Sequence, residues 1–410
     1  MLRYRLSRAF GPVIWIFLMM ALVSIPHAWA AGKYRTLYRF KGKKDGSLPY
    51  AGLIFDPTGN LYGTTSEGGA YGYGTVFKLT VSGGTWTESV LHSFNKDGQD
   101  GIYPYDSLIF DPAGNLYGTT FYGGTDGGGI VFRLSPMGDG AWTEKVIYNF
   151  SFAIGWFPQA ALIFDSSGNL YGTTVAAGGG VAGTVFELTP NADGSWTEST
   201  LLSFNNTNGF GGYAAVIFDS KGNLYGNAAE GGAYSFGTTF ELTPNSDGNW
   251  TDSVLHSFGK INDGRYVYSG LVFDPAGNLY GTTVEGGIDG GGTVFRLTPN
   301  SDGTWTENLL YGFCSTKDCQ DGGLPRDVLV FDATGNLYGT TELGGAYADG
   351  LIFKLTSTEA GWKETVLHSF RNHPGSSPYA GLTFDGHGNL FGTTLGDAKT
   401  TFGSVFELSH

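Results

Sequence analysis

Residues 53–65 read LIFDPTGNLYGTT, and close copies of that stretch return six more times. The Asp of the F-D element falls at Asp56, Asp111, Asp165, Asp219, Asp274, Asp332 and Asp385, with spacings of 55, 54, 54, 55, 58 and 53 residues. So regular a period marks a repeat architecture. Within one copy, Leu53-Ile54-Phe55 is a short apolar run of strand type. DPTGN at 56–60 is turn chemistry: Pro57 presets φ, Gly59 tolerates positive φ, and the Asp56 carboxylate reaches the backbone two residues on. LYGTT at 61–65 is a second strand, closing a tight hairpin. A Gly-rich loop, a third strand at 75–79 (TVFKL), a polar turn and a longer alternating strand at 86–94 (WTESVLHSF) complete the copy. The four strands are labelled A to D in chain order.

Beyond the first thirty residues no segment carries a helical period, and 68 glycines with dense turn signals point the same way. Four antiparallel strands, seven times over, predict an all-β, seven-bladed β-propeller. Each blade then packs on a neighbour at both faces, which accounts for A strands that are apolar throughout. A β-solenoid is the competing fold, and its usually shorter period argues against it. Residues 33–40 align with strand D, Leu37 on Leu91 and Phe40 on Phe94, whereas the seventh copy stops at strand C, residues 404–408. The N-terminal strand is therefore expected to complete the seventh blade and close the ring, removing two sheet edges. Six copies carry a strand-D tryptophan eight residues before that Phe: Trp86, Trp142, Trp196, Trp250, Trp305 and Trp362.

The N-terminus reads as a signal peptide over residues 1–30. Arg3, Arg5 and Arg8 form a basic region, residues 13–23 an apolar core, and Ala28-Trp29-Ala30 a small-x-small cleavage site, so cleavage is expected after Ala30. An uncleaved signal anchor is the alternative, but the apolar core is short for a span. Residues 31–410 would then be a single propeller domain. Losing three arginines takes Lys+Arg from 23 to 20 against 37 Asp+Glu, so the net charge moves from −14 to −17. That disfavours nucleic acid and anionic membrane surfaces as partners. A secreted or periplasmic monomer without a membrane anchor is expected. The only cysteines, Cys314 and Cys319, lie in the longest repeat interval. In an exported chain a close pair of this kind predicts a disulfide, and no further ligands for a metal stand nearby.

The G-N-L-Y-G-T-T and G-T-V-F-x-L-T elements, as at 114–120 and 183–189, make the chain resemble the GloVer-type tandem-repeat family of exported bacterial proteins, also called choice-of-anchor tandem repeat proteins. The resemblance covers residues 31–410. It implies export and a repeat fold, and brings no catalytic residues or cofactor. Members often end in a surface-sorting segment, whereas this chain stops at His410 just after strand C, so release or periplasmic residence is expected.

Among the seven copies, the A–B and C–D turns barely vary, whereas the D–A and B–C loops vary in length and type. Those two loop sets emerge on one face of a four-stranded blade, and loops on a rigid scaffold are where function concentrates. Tyr71 and Tyr73 of blade 1, Phe121 and Tyr122 of blade 2, and Trp156 with Phe152 and Phe157 entering blade 3 put aromatic side chains there. Such side chains suit stacking on sugar rings or docking a protein; sealing the channel mouth is the structural alternative. Five A strands are preceded by a tyrosine, Tyr50, Tyr105, Tyr213, Tyr268 and Tyr379, with Gln159 and Arg326 in the other two, a pattern that reads as repeat packing. One residue on stand two acids, Asp106 and Asp327, in blades 2 and 6. They are the candidates for a polysaccharide-active enzyme, with Arg326 beside them. Paired-carboxylate hydrolysis needs a separation of about 5–9.5 Å, and a seven-bladed mouth is wide. Their structural alternative is a solvated or Arg-paired acid. His92, His256 and His368 recur at one strand-D position and read as scaffold, leaving only His373, His387 and His410 irregular beyond the first thirty residues. Asp45, Asp97, Asp263 and Asp321 precede glycines but lack the spacing of an EF-hand loop, and the Gly-rich loops lack the Lys-Ser/Thr of a phosphate loop. No cofactor or metal is predicted. Two function classes survive: a binding or scaffold propeller for glycan or protein, and a polysaccharide hydrolase or lyase.

Overall fold

The computed structural model describes residues 32–138, 140–153, 155–177, 182–371, 376–396 and 400–409. The expected signal peptide and cleavage site, His373 and His410 lie outside them. Seven four-stranded antiparallel sheets are present, each running A-B-C-D from the channel outward. In blade 1 the strands are Ile54–Phe55, Leu61–Thr65, Thr75–Ser82 and Thr85–Ser93. A 3₁₀ turn at Lys317–Cys319 is the only helical element among the described residues. Blade 7 closes as its sequence requires. Its strand C, Ser404–Ser409, pairs with the N-terminal strand Lys33–Arg39, Lys33 opposite Ser409 and Arg39 opposite Ser404. Tyr34 then stacks on His368 of blade 6 at 4.1 Å between centroids. Burial there drives the His368 imidazole down to about 4, so it packs as a neutral ring.

The repeated motif can be read residue by residue. Asp56 folds its turn by accepting the Thr58 and Asn60 backbone N–H groups, the Asn60 side-chain amide at 2.7 Å and the Tyr62 hydroxyl at 3.0 Å. Burial opposes its ionisation, but these donors outweigh it and hold Asp56 at about 2. Gly63 leaves room for the Phe77 ring, since a Cβ there would lie 2.8 Å from its Cζ. The first threonine of each G-T-T reaches into the next blade. Thr64 donates to the Asp106 carbonyl, Thr119 to Ala160, Thr173 to Ala214, Thr282 to Asp327, Thr340 to Ala380 and Thr393 to Ala51. In blade 4 Asn227 replaces it and still donates, to Ser269. The Thr393 bond links blade 7 to blade 1, so the hydrogen-bonded belt is continuous.

Apolar contacts follow the same rotation. The strand-D phenylalanine of each blade meets the strand-C phenylalanine of the next: Phe40 on Phe77, Phe94 on Phe132, and so on round to Phe370 on Phe406. These rings are essentially inaccessible. The strand-B aromatic of each blade meets the strand-A phenylalanine of the next, as Tyr62 does Phe110 and Phe391 does Phe55. The strand-D tryptophans lie on the flank of these clusters, half-buried rather than in the core. Every strand D also shifts register against strand C, as between Val76 and Phe77, through a bulge that lets its tail bend toward the next blade.

Candidate ligand-binding site

The loops above this scaffold are paired, not loose. The D–A loop entering a blade bridges to that blade's own B–C loop. Gly101–Ile102 pairs with Tyr122–Gly123 and Gly264–Arg265 with Glu285–Gly286, while Ser47–Glu67, Trp156–Ala176, Phe210–Glu230 and Gly323–Leu343 form single bridges. Both loop sets thus share one face. Strand-D side chains anchor the loops through buried acids. Asp45 accepts the Tyr38 hydroxyl, Asp100 lies 3.0 Å from His92 Nε2, Asp263 lies 3.2 Å from His256 Nε2, and Asp321 accepts Tyr311, Ser315 and Thr316. The acids of the Asp-Gly pairs therefore spend their oxygens on the loops themselves. Asp97 caps its own turn through the Gln99 and Asp100 N–H groups. Among the described residues no cluster of three or more His, Cys, Asp or Glu side chains is placed to hold a metal.

One slot in the B–C loop differs from blade to blade. It holds Tyr73, Gly128, Phe236, Gly291 and Asp349 in blades 1, 2, 4, 5 and 6. Tyr73 leans on Tyr103 and Phe236 on Tyr266. Glycine at the slot admits something else. A Cβ on Gly128 would lie 2.9 Å from the Trp156 ring, and one on Gly291 would lie 2.7 Å from Cys314 Sγ. Trp156 therefore fills a gap that its neighbour leaves, wedged between Phe152 and Phe157, and its indole nitrogen is buried with no partner among the described residues. Cys314 is bonded to Cys319, with Cα atoms 4.0 Å apart, shorter than the 4.4–6.8 Å usual for disulfides. Both half-cystines take a left-handed backbone in this tight loop.

Four of the five predicted aromatic residues belong to one continuous system. Phe121 stacks on Phe157 at 4.6 Å and meets Tyr122 edge to face at 4.7 Å; Tyr122 also meets Phe157 and Tyr103, which carries the contact to Tyr73. Tyr71 stands apart, 62% exposed at its loop tip. Tyr122 and Phe152 present the open surface of the cluster, while Phe121 and Trp156 sit half-buried beneath.

The cluster runs into the channel mouth, because Phe121 also touches Tyr105 at 5.5 Å. Here the five tyrosines preceding strand A form a collar: Tyr105 meets Tyr50, Tyr50 meets Tyr379, and Tyr213 meets Tyr268, at 4.9–5.2 Å. Arg326 occupies one sector, its guanidinium 5.3 Å from the Tyr379 ring and 5.9 Å from Tyr268, and is ion-paired to Glu342. Beneath lies an axial cavity of about 340 Å³, lined by the collar, Gln159, Asp106 and Asp327.

Asp106 and Asp327 are pseudo-equivalent. One oxygen of Asp106 accepts the Ser107 N–H and the other the Ala161 N–H of the next blade, at 2.6 and 2.7 Å. Asp327 does the same with Val328 and Gly381. Each carboxylate thus stitches two blades together. Burial raises both acids above the ordinary range, and the Asp327 charge raises Asp106 further. Their opposed positions in the ring suggested independence, yet the two share one cavity and feel each other. Fivefold repetition of the tyrosine made it look like packing; the missing signal was that its two exceptions, Gln159 and Arg326, line the same space.

A sequence-family model described as the Gloeobacter/Verrucomicrobia repeat matches residues 26–210, 89–272, 139–332 and 213–410. No curated protein matches in sequence. Among solved structures, a candidate 6-phosphogluconolactonase from Bacteroides uniformis superposes with a TM-score of 0.50 at 14% identity, over 78% of this chain and 84% of that one. A candidate oxidoreductase (glucose dehydrogenase) from Thermus thermophilus gives 0.41 at 17%, over 79% and 100%. At such identities the first likeness is one of fold alone.

Proposed function

The chain belongs to the Gloeobacter/Verrucomicrobia repeat family, and on that footing we propose that it is an exported binding propeller whose loop face holds a carbohydrate chain. The observation that carries this reading is the unbroken aromatic path from Phe152 and Tyr122 through Phe121 and Tyr105 to the axial cavity. Aromatic faces take the apolar face of a sugar ring, and a cavity at the end of such a path takes a chain terminus. Tyr71, Tyr73 and Trp156 extend or support the same surface. A protein ligand would use the exposed rings without needing the cavity.

Export rests on the reading of residues 1–30. N-terminal sequencing of protein recovered from the periplasm or medium should begin at Ala31; retention of Met1 would end it. A glycan-array and pull-down comparison of wild type with Tyr122→Ser and Trp156→Ala tests the site. Loss of glycan signal in Tyr122→Ser at unchanged melting temperature supports it, and identical profiles refute it. A second reading, hydrolysis or lysis of a polysaccharide, draws on Asp106, whose carboxyl is made to keep its proton to a higher pH than usual by burial and by the charge of Asp327. It predicts turnover that disappears in Asp106→Asn or Asp327→Asn, with Arg326 positioning the substrate.

A further inference from the structure

We propose that the axial cavity is a cage for an organic cation, and that the ammonium group of an amino sugar is the ligand class that fits it. The proposal deepens the carbohydrate reading of the loop face and rests on it for the sugar part. Tyrosine faces attract cations through the ring quadrupole, and aromatic cages are a recurrent means of holding ammonium groups. The protein already places one cation on this collar, since Arg326 lies against Tyr379 and Tyr268. That cation is spent on Glu342. Among the described residues lining the cavity, Arg326 is the only one with a positive charge. The sector of Tyr50 and Tyr105 has none. Asp106 lines the cavity immediately after Tyr105, and the charge of Glu67 reaches both rings.

The floor is short of positive charge in the same way. Each carboxylate is held by two N–H groups, yet burial keeps both harder to ionise than usual, and repulsion from the Asp327 charge adds to this at Asp106. A cation entering between collar and floor relieves that repulsion and is desolvated against aromatic walls, where a cation–π contact is strongest. An anion would meet two carboxylates and the glutamates at the rim. Hydroxyl groups find partners too. In blades 2, 3, 6 and 7 the N–H after the collar and floor positions is taken by the acids. Among the described residues the corresponding N–H groups of Gly52, Ala215 and Gly270 have no protein acceptor. A ligand carrying both an ammonium and several hydroxyls satisfies all of these groups, and about 340 Å³ lies within the range of small-molecule sites.

Calorimetry with charge-matched pairs tests this. Choline should bind the purified protein at least about tenfold more tightly than its uncharged isostere 3,3-dimethylbutan-1-ol. Among β-1,4-linked hexamers, that of glucosamine should exceed those of glucose and N-acetylglucosamine by a similar factor. The Asp106→Asn/Asp327→Asn double variant should lose both preferences. Because it weakens two blade stitches, Tyr50→Leu and Tyr105→Leu, which touch neither stitch, supply the second arm and should weaken choline binding without lowering the melting temperature appreciably. Equal binding of the isosteres, no choline binding, or a preference that survives these variants overturns the cage. If a neutral hexamer binds in a Tyr122-dependent way while choline does not, the carbohydrate reading stands and the cage falls. If choline binds with the expected preference while no hexamer does, the cage stands and its amino-sugar assignment falls.

Discussion

Between the blades one contact is made seven times: a strand-D phenylalanine meets the next blade's strand-C phenylalanine with centroids 4.9–5.4 Å apart. A few residues above it, the B–C slot holds Tyr73, Gly128, Phe236, Gly291 or Asp349, and what packs there is a tyrosine, a tryptophan or a disulfide. The seam tolerates no variety because each ring is fully enclosed by two blades, so any change in volume is felt on both sides. The slot is only half-buried where Tyr73, Phe236 or Asp349 occupies it, and where it holds glycine it is filled from another loop. Uniform seams hold a ring; divergent loops on a rigid ring make a surface that recognises something.

The comparison breaks most violently at the closure. Deleting residues 31–40 removes strand D of blade 7, Phe40 and Tyr34 together, and exposes the Ser404–Ser409 edge. Loss of soluble protein, or of a single cooperative melt, is expected. A soluble variant with an unchanged transition would contradict it. Next in size is Phe258→Ala, which empties an inaccessible site against Phe295 and should cost about 3–5 kcal/mol in denaturant titration. The half-buried Trp196→Ala should cost less, and a reversal of that order would misplace the core.

The motif period made the fold legible, down to the spare strand at the N-terminus, because the scaffold positions repeat and repetition is visible in one chain. The strand-D tryptophans repeat as regularly as the core phenylalanines, yet they lie on the flank of the seam and not inside it, a difference that repetition alone does not carry. The candidate site was legible only as a face. Gly128 looks like any loop glycine until Trp156 is seen beside it, and contacts of that kind join residues about thirty positions apart without a sequence signal. The acids of blades 2 and 6 share a cavity only because the ring closes.

Smaller effects sharpen the comparison. Replacing Cys314 and Cys319 by serine should cost about 2 kcal/mol, the low end for disulfides, because the closed loop is short. No change in stability would show the loop to be held by Asp321 alone. The pH profile separates seam from turn. Burial, with the charges of Asp45, Asp100 and Asp321 nearby, raises Glu88, Glu144 and Glu364 to about 7. Folded protein keeps those protons where the unfolded chain, with glutamates near about 4.3, has released them. Their contribution is complete below that value and is lost as pH rises through about 7. Asp56 and Asp332, held at about 2, contribute above about 3.9 and lose it as pH falls through about 2. The melting temperature should therefore be higher at pH 5 than at pH 8 and fall again below pH 4. The Glu88→Gln/Glu144→Gln/Glu364→Gln variant should flatten the alkaline limb alone. A wild-type profile that rises from pH 5 to pH 8 would refute the assignment.

The division between scaffold and recognition face is tested most directly by hydrogen–deuterium exchange with and without the glucosamine hexamer. The account predicts added protection in the loops at 67–74, 121–129 and 151–158 and in the collar segments ahead of the A strands, with none in the A–B turns around Asp56 and its six counterparts. Protection centred on the A–B turns, or spread evenly over all seven blades, would contradict it.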